Sequence, residues 1–248
     1  MTCDSFKLAS TQLKPTSPLR RSNHAVIILA SGLSRRLGQA KQLLYKAGEP
    51  LICFMTKLAL STKPQAIIIV IPDNQPLIAS AMNELAFQYS IIQMVVNPTP
   101  KTGMAYSLTL AIEAVTQLTS SSIERVVIMG VDQVLLDEQH LAKLLADKRS
   151  VVASNYSSWQ HSNNRNLNET TTANASTQNI IGLPLTIDYG LLKRWQAVLS
   201  GDSGLRYFIR ELPPSQVSTV SNKQLSYDID TPEQLIHAKQ QGWLDEQY

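Results

Sequence analysis

The segment Leu29-Ala-Ser-Gly-Leu-Ser-Arg-Arg-Leu-Gly-Gln-Ala-Lys41 brings glycines, small residues and fixed positive charge together on one short stretch. Gly32 and Gly38 let a backbone turn tightly and approach a ligand. Ala30, Ser31 and Ser34 leave backbone N–H groups open to phosphate oxygens. Arg35 and Lys41 add charge to the same loop. Together these residue types suit the binding of a polyanion, above all a run of phosphates. The glycines and lysine are spaced as in neither the dinucleotide fingerprint nor the P-loop. Taken alone, a Gly/Ser loop with solvated basic residues explains the segment as well.

Four later segments carry further candidates. Asn97-Pro-Thr-Pro-Lys-Thr-Gly-Met-Ala-Tyr-Ser-Leu108 joins a proline turn to Gly103, which permits close approach, and to Ser107 near a helix start, where N–H groups face a ligand. Asp132 directly follows an apolar run, where it is either a functional carboxylate or a turn cap. Gly201-Asp-Ser-Gly-Leu-Arg206 offers a turn at Gly204 and a guanidinium at Arg206, suited to a phosphate. An N-cap at Asp202 with a surface arginine is the simpler account. In Asp228-Ile-Asp-Thr-Pro-Glu-Gln-Leu235, Thr231 and Pro232 mark a helix start. That cap needs only Thr231 and leaves Asp228 and Asp230 unexplained.

Other chemistries find little support. The histidines are His24, His140, His161 and His237, and they show no metal-ligand spacing. His24 precedes the first strand, and the other three read as surface or loop residues. No Ser/His/Asp arrangement is evident. Cys3 and Cys53 make neither a disulfide framework nor a zinc cluster, which fits a reducing compartment.

The elements that must position these residues follow from periodicity. Continuous apolar, β-branched runs at Ala25–Leu29, Ala66–Ile71 and Arg125–Met129 predict strands buried on both faces. A weaker strand is expected over Ile91–Val96. Helices are expected over about 50–61, 75–87, 104–118 and 137–147, the last with Asp137 near its start. This alternation predicts an α/β fold, a mostly parallel sheet with helices on both faces. Such sheets bind ligands at the carboxyl ends of their strands. Residues 1–23 are rich in Ser, Thr, Lys and Pro and read as a mobile extension rather than a secretory signal. Residues 24–248 read as one domain. Asn155–Asn179 is dominated by Asn, Ser and Thr and reads as a mobile loop. Its Asn-X-Ser/Thr triplets are compositional coincidences of that tract.

Composition sets limits. Hydrophobic residues make up 44% and charged residues 17% of the chain, an ordinary soluble balance. A formal charge of +3 is too small to argue for nucleic acid. No run approaches the roughly 20 apolar residues that span a membrane.

Taken together, these motifs resemble the MobA-like NTP transferase superfamily. Its signature, Leu-Ala-(Ala/Gly)-Gly-X-Ser-X-Arg-(Met/Leu)-Gly-X-X-Lys, is matched from Leu29 to Lys41, with Ser31 in place of a smaller residue. Asn97–Leu108 looks like the family element Asn-Pro-X₄-Gly-Met-X₂-Ser-Leu. Val131-Asp-Gln-Val134 resembles its Asp-Gln-Pro, with Val134 replacing the proline, a change expected to loosen the turn. Ile181-Gly-Leu-Pro184 resembles its Gly-X-Pro segment, which follows the acceptor-side strand, with Leu183 where His or Asn is more usual. Gly201–Arg206 resembles the Gly-Asp-X-Gly-X-Arg loop of the molybdenum cofactor cytidylyltransferase branch. Asp228–Leu235 is close to Asp-X-Asp-Thr-Pro-Glu-Asp-Leu. The resemblance covers about 24–242, apart from 155–179.

The resemblance implies a three-layer, Rossmann-like and GT-A-like nucleotidyltransferase fold. It implies CMP transfer from CTP to molybdenum–molybdopterin with loss of pyrophosphate, in the cytoplasm, with Mg²⁺ on Asp132 and on Asp230 or, second, Asp228. Arg35 and Lys41 become the catalytic residues. The nucleotide is expected on Leu29, Ala30, Ser31, Gly32, Ser34, Asn97, Gly103 and Ser107. The acceptor is expected on Gly182, Asp202, Gly204 and Arg206. A molybdenum hydroxylase becomes the expected recipient of the product, with no nucleic-acid or membrane partner. A guanylyltransferase, a sugar-phosphate nucleotidyltransferase and a non-catalytic nucleotide or cofactor carrier are the alternatives.

Overall fold

The computed structural model describes residues 23–118, 122–157, 179–201 and 204–246. The first apolar run forms β1 (His24–Leu29). After the basic loop come a two-residue hairpin, β2 (Tyr45–Lys46) and β3 (Glu49–Pro50), and then α1 (Leu51–Ser61). The chain continues through β4 (Ala66–Pro72), α2 (Pro76–Gln88), β5 (Ile92–Asn97) and α3 (Met104–Thr116). Next are β6 (Arg125–Gly130), α4 (Glu138–Ala146), β7 (Val151–Ser157) and β8 (Asn179–Asp188). The last elements are α5 (Tyr189–Gln196), α6 (Arg206–Arg210), β9 (Val217–Ser221) and α7 (Pro232–Gln240).

The seven-stranded sheet has the order β5-β4-β1-β6-β8-β7-β9. Strands β5, β4, β1 and β6 are parallel; β4, β1 and β6 carry the apolar runs of strands covered on both faces, while β5, at the edge, is partly exposed. Strand β8 runs antiparallel to both β6 and β7. Two apolar layers sandwich the sheet. On one side, Ile28, Ile69 and Met129 pack with Met55, Met82 and Leu144 from α1, α2 and α4. On the other, Ile27, Ile68 and Ile128 pack with Leu108 and Ile112 from α3 and Leu192 from α5. Alternating strand residues feed the two layers, so helices cover both faces.

The predicted strands and helices all form. Asp137 caps α4, its side chain accepting from His140 N at 2.7 Å. Thr231 and Gln234 close a capping box at the start of α7.

The expected loop at 155–179 is corrected at both ends, because β7 runs to Ser157 and β8 starts at Asn179. Ladder hydrogen bonds use backbone groups alone, so a polar tract pairs as readily as an apolar one when its partner strand is in register. Residues 158–178 lie outside the described residues, as do 1–22 of the expected extension. His140 is also corrected. It is buried on α4, with Nε2 2.8 Å from Ser154 Oγ. His24 is buried in β1, 2.9 Å from Thr62 Oγ1, His237 is half-buried on α7, and His161 lies outside the described residues. No helix among the described residues is long and apolar enough to cross a membrane.

Candidate active site

The basic loop leaves the carboxyl end of β1 at the centre of the sheet. Ala30 N donates to Val70 O of β4 at 2.9 Å, so the expectation that this N–H stays open to phosphate is corrected: the buried Ala30 extends the sheet pairing instead. The buried Gln42 side chain donates to Ala30 O at 2.6 Å and to Gly32 O at 3.0 Å. This clip fixes the curve of the loop, and periodicity alone did not single out Gln42. Gly38 adopts a φ of 77°, the left-handed region that favours glycine. Gly32 has no such requirement, and a Cβ placed there meets nothing within 4 Å. The expectation of a tight turn at Gly32 is corrected, and what remains is an open surface for a ligand. Ser34 shapes the loop: its carbonyl accepts from Leu37 N and Gly38 N, and its Oγ from Lys41 N at 3.3 Å.

Lys41 meets the two predicted metal carboxylates. Its Nζ lies 3.0 Å from Asp132 Oδ2 and also bonds Asp230 Oδ1. Arg36 Nη2 takes the other oxygen of Asp230 at 2.7 Å. Residues distant in sequence thus share one charge cluster. Burial disfavours the Lys41 charge, but Asp132 and Asp230 outweigh it and its pKa is raised. Burial likewise works against the Asp230 charge, yet Lys41 and Arg36 hold its carboxyl below the usual range. Asp228 sits deeper. Burial, then Asp132 and Asp230, push its carboxyl up to about 7. Arg35, expected to be catalytic, is exposed and lines the same cavity as Lys41 without an ion pair to either aspartate.

Three predicted nucleotide residues form one polar chain. Thr99 N donates to Asn97 Oδ1 at 2.8 Å, which leaves Asn97 Nδ2 to donate to Ser107 Oγ at 2.9 Å. Ser107 Oγ lies 2.6 Å from Ser31 Oγ. The hydroxyl that replaces a smaller family residue therefore has a partner of its own. Gly103 stands at the junction with α3, with φ 98° and ψ 177°.

On the other side of Asp132, Gln133 anchors the turn after β6. Its Nε2 donates to Leu183 O at 2.6 Å, and its Oε1 accepts from Gly130 N at 3.4 Å. Val134 N donates to Asp132 O at 3.0 Å, a bond that a proline lacks, and the side chain is fully buried. The expected loosening at Val134 is therefore corrected. Gly182, Leu183 and Pro184 lie within β8 rather than after a strand, at an irregularity in its pairing with β7. At Gly182 a Cβ would stand 2.5 Å from Tyr156 Oη and 3.5 Å from Arg206 Nη2. The glycine thus makes room for two side chains, one of which, Tyr156, sequence reasoning missed. Gly204 has φ 52° beside Met104. Asp202 lies outside the described residues.

Two cavities share Leu29 and Asp132. The first, about 580 Å³, is lined by Gly32, Ser34, Arg35, Arg36, Lys41 and Lys101. The second, about 340 Å³, has walls of Leu108, Ile128, Leu183, Leu185 and Ile209, with Tyr156, Arg206 and Asp228 among its polar groups. Asp132 therefore stands where a cationic, phosphate-suited cavity meets an apolar one.

The donor set fits a hard divalent cation. Asp132 and Asp230 already converge on a single positive charge, the Lys41 ammonium. Among the described residues no group of three His, Cys, Asp or Glu side chains could hold a metal. A pair of carboxylates matches the habit of Mg²⁺, which takes one or two protein carboxylates and completes its shell with phosphate oxygens and water.

A family model for the MobA-like NTP transferase domain matches residues 26–217. No curated protein matches the chain. Several solved structures share the fold. A Mycobacterium sp. strain JC1 homologue of rv0371c is 20% identical with a TM-score of 0.62, and the match covers 90% of this chain and 98% of that one. A nucleotidyl transferase from Methanothermobacter is 17% identical with a TM-score of 0.65, over 89% and 97%. The 4-diphosphocytidyl-2C-methyl-D-erythritol synthase of Anaerococcus prevotii is 17% identical with a TM-score of 0.63, over 89% and 96%. At these identities the likeness is one of fold.

Proposed function

The chain belongs to the MobA-like NTP transferase family and is a nucleotidyltransferase, and from that premise we propose that it transfers CMP from CTP to molybdenum–molybdopterin with release of pyrophosphate. The observation that carries the reading is the position of Asp132 between a basic cavity and an apolar one. A nucleoside triphosphate suits the first and a phosphorylated acceptor with a flat, weakly polar body suits the second. A polyol phosphate fits less well, because its hydroxyls would be stripped of water against Leu108, Ile128, Leu185 and Ile209.

The chemistry needs no general base, since the acceptor phosphate is already an anion at neutral pH. The barrier is the approach of two anions and the charge that builds at the α-phosphorus, so catalysis is positioning and charge neutralisation. Mg²⁺ on Asp132 and Asp230 supplies neutralisation of the reacting phosphate oxygens when bound. Backbone N–H groups of Ser31 and Gly32 hold the triphosphate beside Leu29 and Ala30, within the loop that Ser34 shapes. Arg35 and Lys41 stabilise the developing charge and the departing pyrophosphate. Asn97, Gly103 and Ser107 seat the base and sugar. Gly182, Gly204, Asp202 and Arg206 serve the acceptor, with Arg206 on its phosphate. The protein acts in the cytoplasm and hands its product to a molybdenum hydroxylase. The convergence of two carboxylates on one cation favours an enzyme over a nucleotide carrier, which has little need for such a pair.

The test is pyrophosphate release with Mg²⁺ and molybdenum–molybdopterin, comparing CTP, GTP, ATP and UTP. Release with CTP alone is expected. Release with GTP instead moves the protein to guanylyl transfer. No release with any of the four overturns the acceptor assignment.

A further inference from the structure

We propose that Lys41 and Arg36 form a cationic clamp that closes the metal site until a nucleotide arrives. The inference rests on the reading of Asp132 and Asp230 as metal ligands. It adds that the same carboxylates are engaged by protein cations, which a metal must displace.

Both oxygens of Asp230 are taken, Oδ1 by Lys41 and Oδ2 by Arg36 at 2.7 Å, and Asp132 Oδ2 is held by Lys41 at 3.0 Å. The Lys41 side chain is only 12% exposed, so its ammonium is fixed in the cluster rather than solvated beside it. A divalent ion entering between the same carboxylates meets that ammonium directly, and like charges at such separation repel strongly in a partly buried site. The ion gains the carboxylates only when Lys41 leaves them.

The same two basic residues line the phosphate-suited cavity with Ser34, Arg35 and Lys101. A triphosphate bound there offers Lys41 and Arg36 a more highly charged partner than a single aspartate. Their transfer to phosphate frees Asp230 and Asp132 at the moment when phosphate oxygens become available to complete the metal shell. Nucleotide and metal are then coupled through a two-position element, carboxylate-bound or phosphate-bound, and the coupling is reciprocal. A lysine serving only as a phosphate ligand has no such effect on metal affinity in the absence of nucleotide.

The experiment is a nucleotide-free Mn²⁺ titration of the full chain, reading free Mn²⁺ by electron paramagnetic resonance. Wild type is expected to bind weakly. Lys41→Met is expected to tighten Mn²⁺ binding by about tenfold or more, and Arg36→Gln by about two- to threefold. Lys41→Arg, which keeps the charge, is expected to stay weak. If Lys41→Met does not fold, Arg36→Gln carries the test, because its side chain is 73% exposed. Unchanged affinity in Arg36→Gln, with equal or weaker binding in Lys41→Met, overturns the clamp. In that event Mn²⁺ binding that is lost in Asp132→Asn keeps the metal site itself. Absence of bound Mn²⁺ in every form, with or without CTP, overturns both.

Discussion

A Cβ on Gly130 would stand 2.7 Å from Asp132 Oδ1, so the carboxylate folds back over the last residue of β6 into space that only glycine leaves. The end of the strand and the Asp132 carboxylate thereby share one small space. The backbone that ends the central parallel strand also sets where the charge points.

Gly130→Ala is accordingly a displacement of Asp132 rather than a simple addition of volume. Overpacking at a buried site costs about 1–3 kcal/mol. Misplacing a positioned group by about 1 Å lowers turnover on the order of 10²-fold. The expected outcome is a large fall in kcat with a modest drop in thermal midpoint. Wild-type turnover in a folded Gly130→Ala protein shows that Asp132 has room to move, and the positioning argument fails.

Gln133→Leu tests the brace between the two sides of the site. It removes the donor to Leu183 O and the acceptor from Gly130 N. Each stranded buried group costs about 1–3 kcal/mol. Leu183 also walls the apolar cavity, so KM for the acceptor is expected to rise while KM for the nucleotide holds. Urea unfolding and the two KM values decide it. Equal rises in both KM values assign Gln133 to the whole cleft instead.

Much of the fold is legible in the residues, because Ala25–Leu29, Ala66–Ile71 and Arg125–Met129 are apolar throughout and a parallel sheet covered on both faces requires such runs. The pairing of β7 with β8 is not legible, since Asn155, Ser157 and Asn179 carry no apolar alternation to mark it. At the site, Asp132 and Asp230 are identifiable from their segments. That Lys41 lies between them depends on three loops meeting in space, and no local pattern encodes that meeting. The bracing roles of Gln42 and Gln133, and Tyr156 altogether, escape notice for a related reason. A glutamine or tyrosine has no preferred partner until the backbone groups around it are placed.

Ser31→Ala restores a smaller residue at the one departure from the family pattern between Leu29 and Lys41. Ser107 keeps its bond from Asn97 Nδ2 and loses only the hydroxyl 2.6 Å away. A single such bond is worth about 0.5–1.5 kcal/mol. The variant is expected to lose about that much stability in denaturant titrations and to keep its kcat. A rise of more than about tenfold in KM for CTP is the contrary result, and it assigns the Ser31 hydroxyl to the ligand rather than to Ser107.

His140 supplies a pH dependence whose sign is fixed by its surroundings. Ser154 Oγ donates to Pro184 O at 2.5 Å, so it must accept from His140 Nε2, 2.8 Å away, and the neutral ring satisfies that bond. Burial holds the pKa of His140 below its ordinary 6.5, against Asp137, which favours the charge, and with Lys143, which opposes it. A histidine with a lowered folded-state pKa contributes stability that is present above about 6.5, the pKa of the unfolded chain. That contribution is lost as pH falls from there through the lowered value, because the unfolded chain takes up a proton that the folded one refuses. His140→Gln keeps a donor for Ser154 and does not titrate. Unfolding midpoints measured at steps from about pH 7.5 to 5.5 should therefore fall more steeply for wild type than for the variant. Parallel curves for the two proteins show that the proton is taken up equally in both states, and His140 then plays no part in the acid sensitivity of the fold.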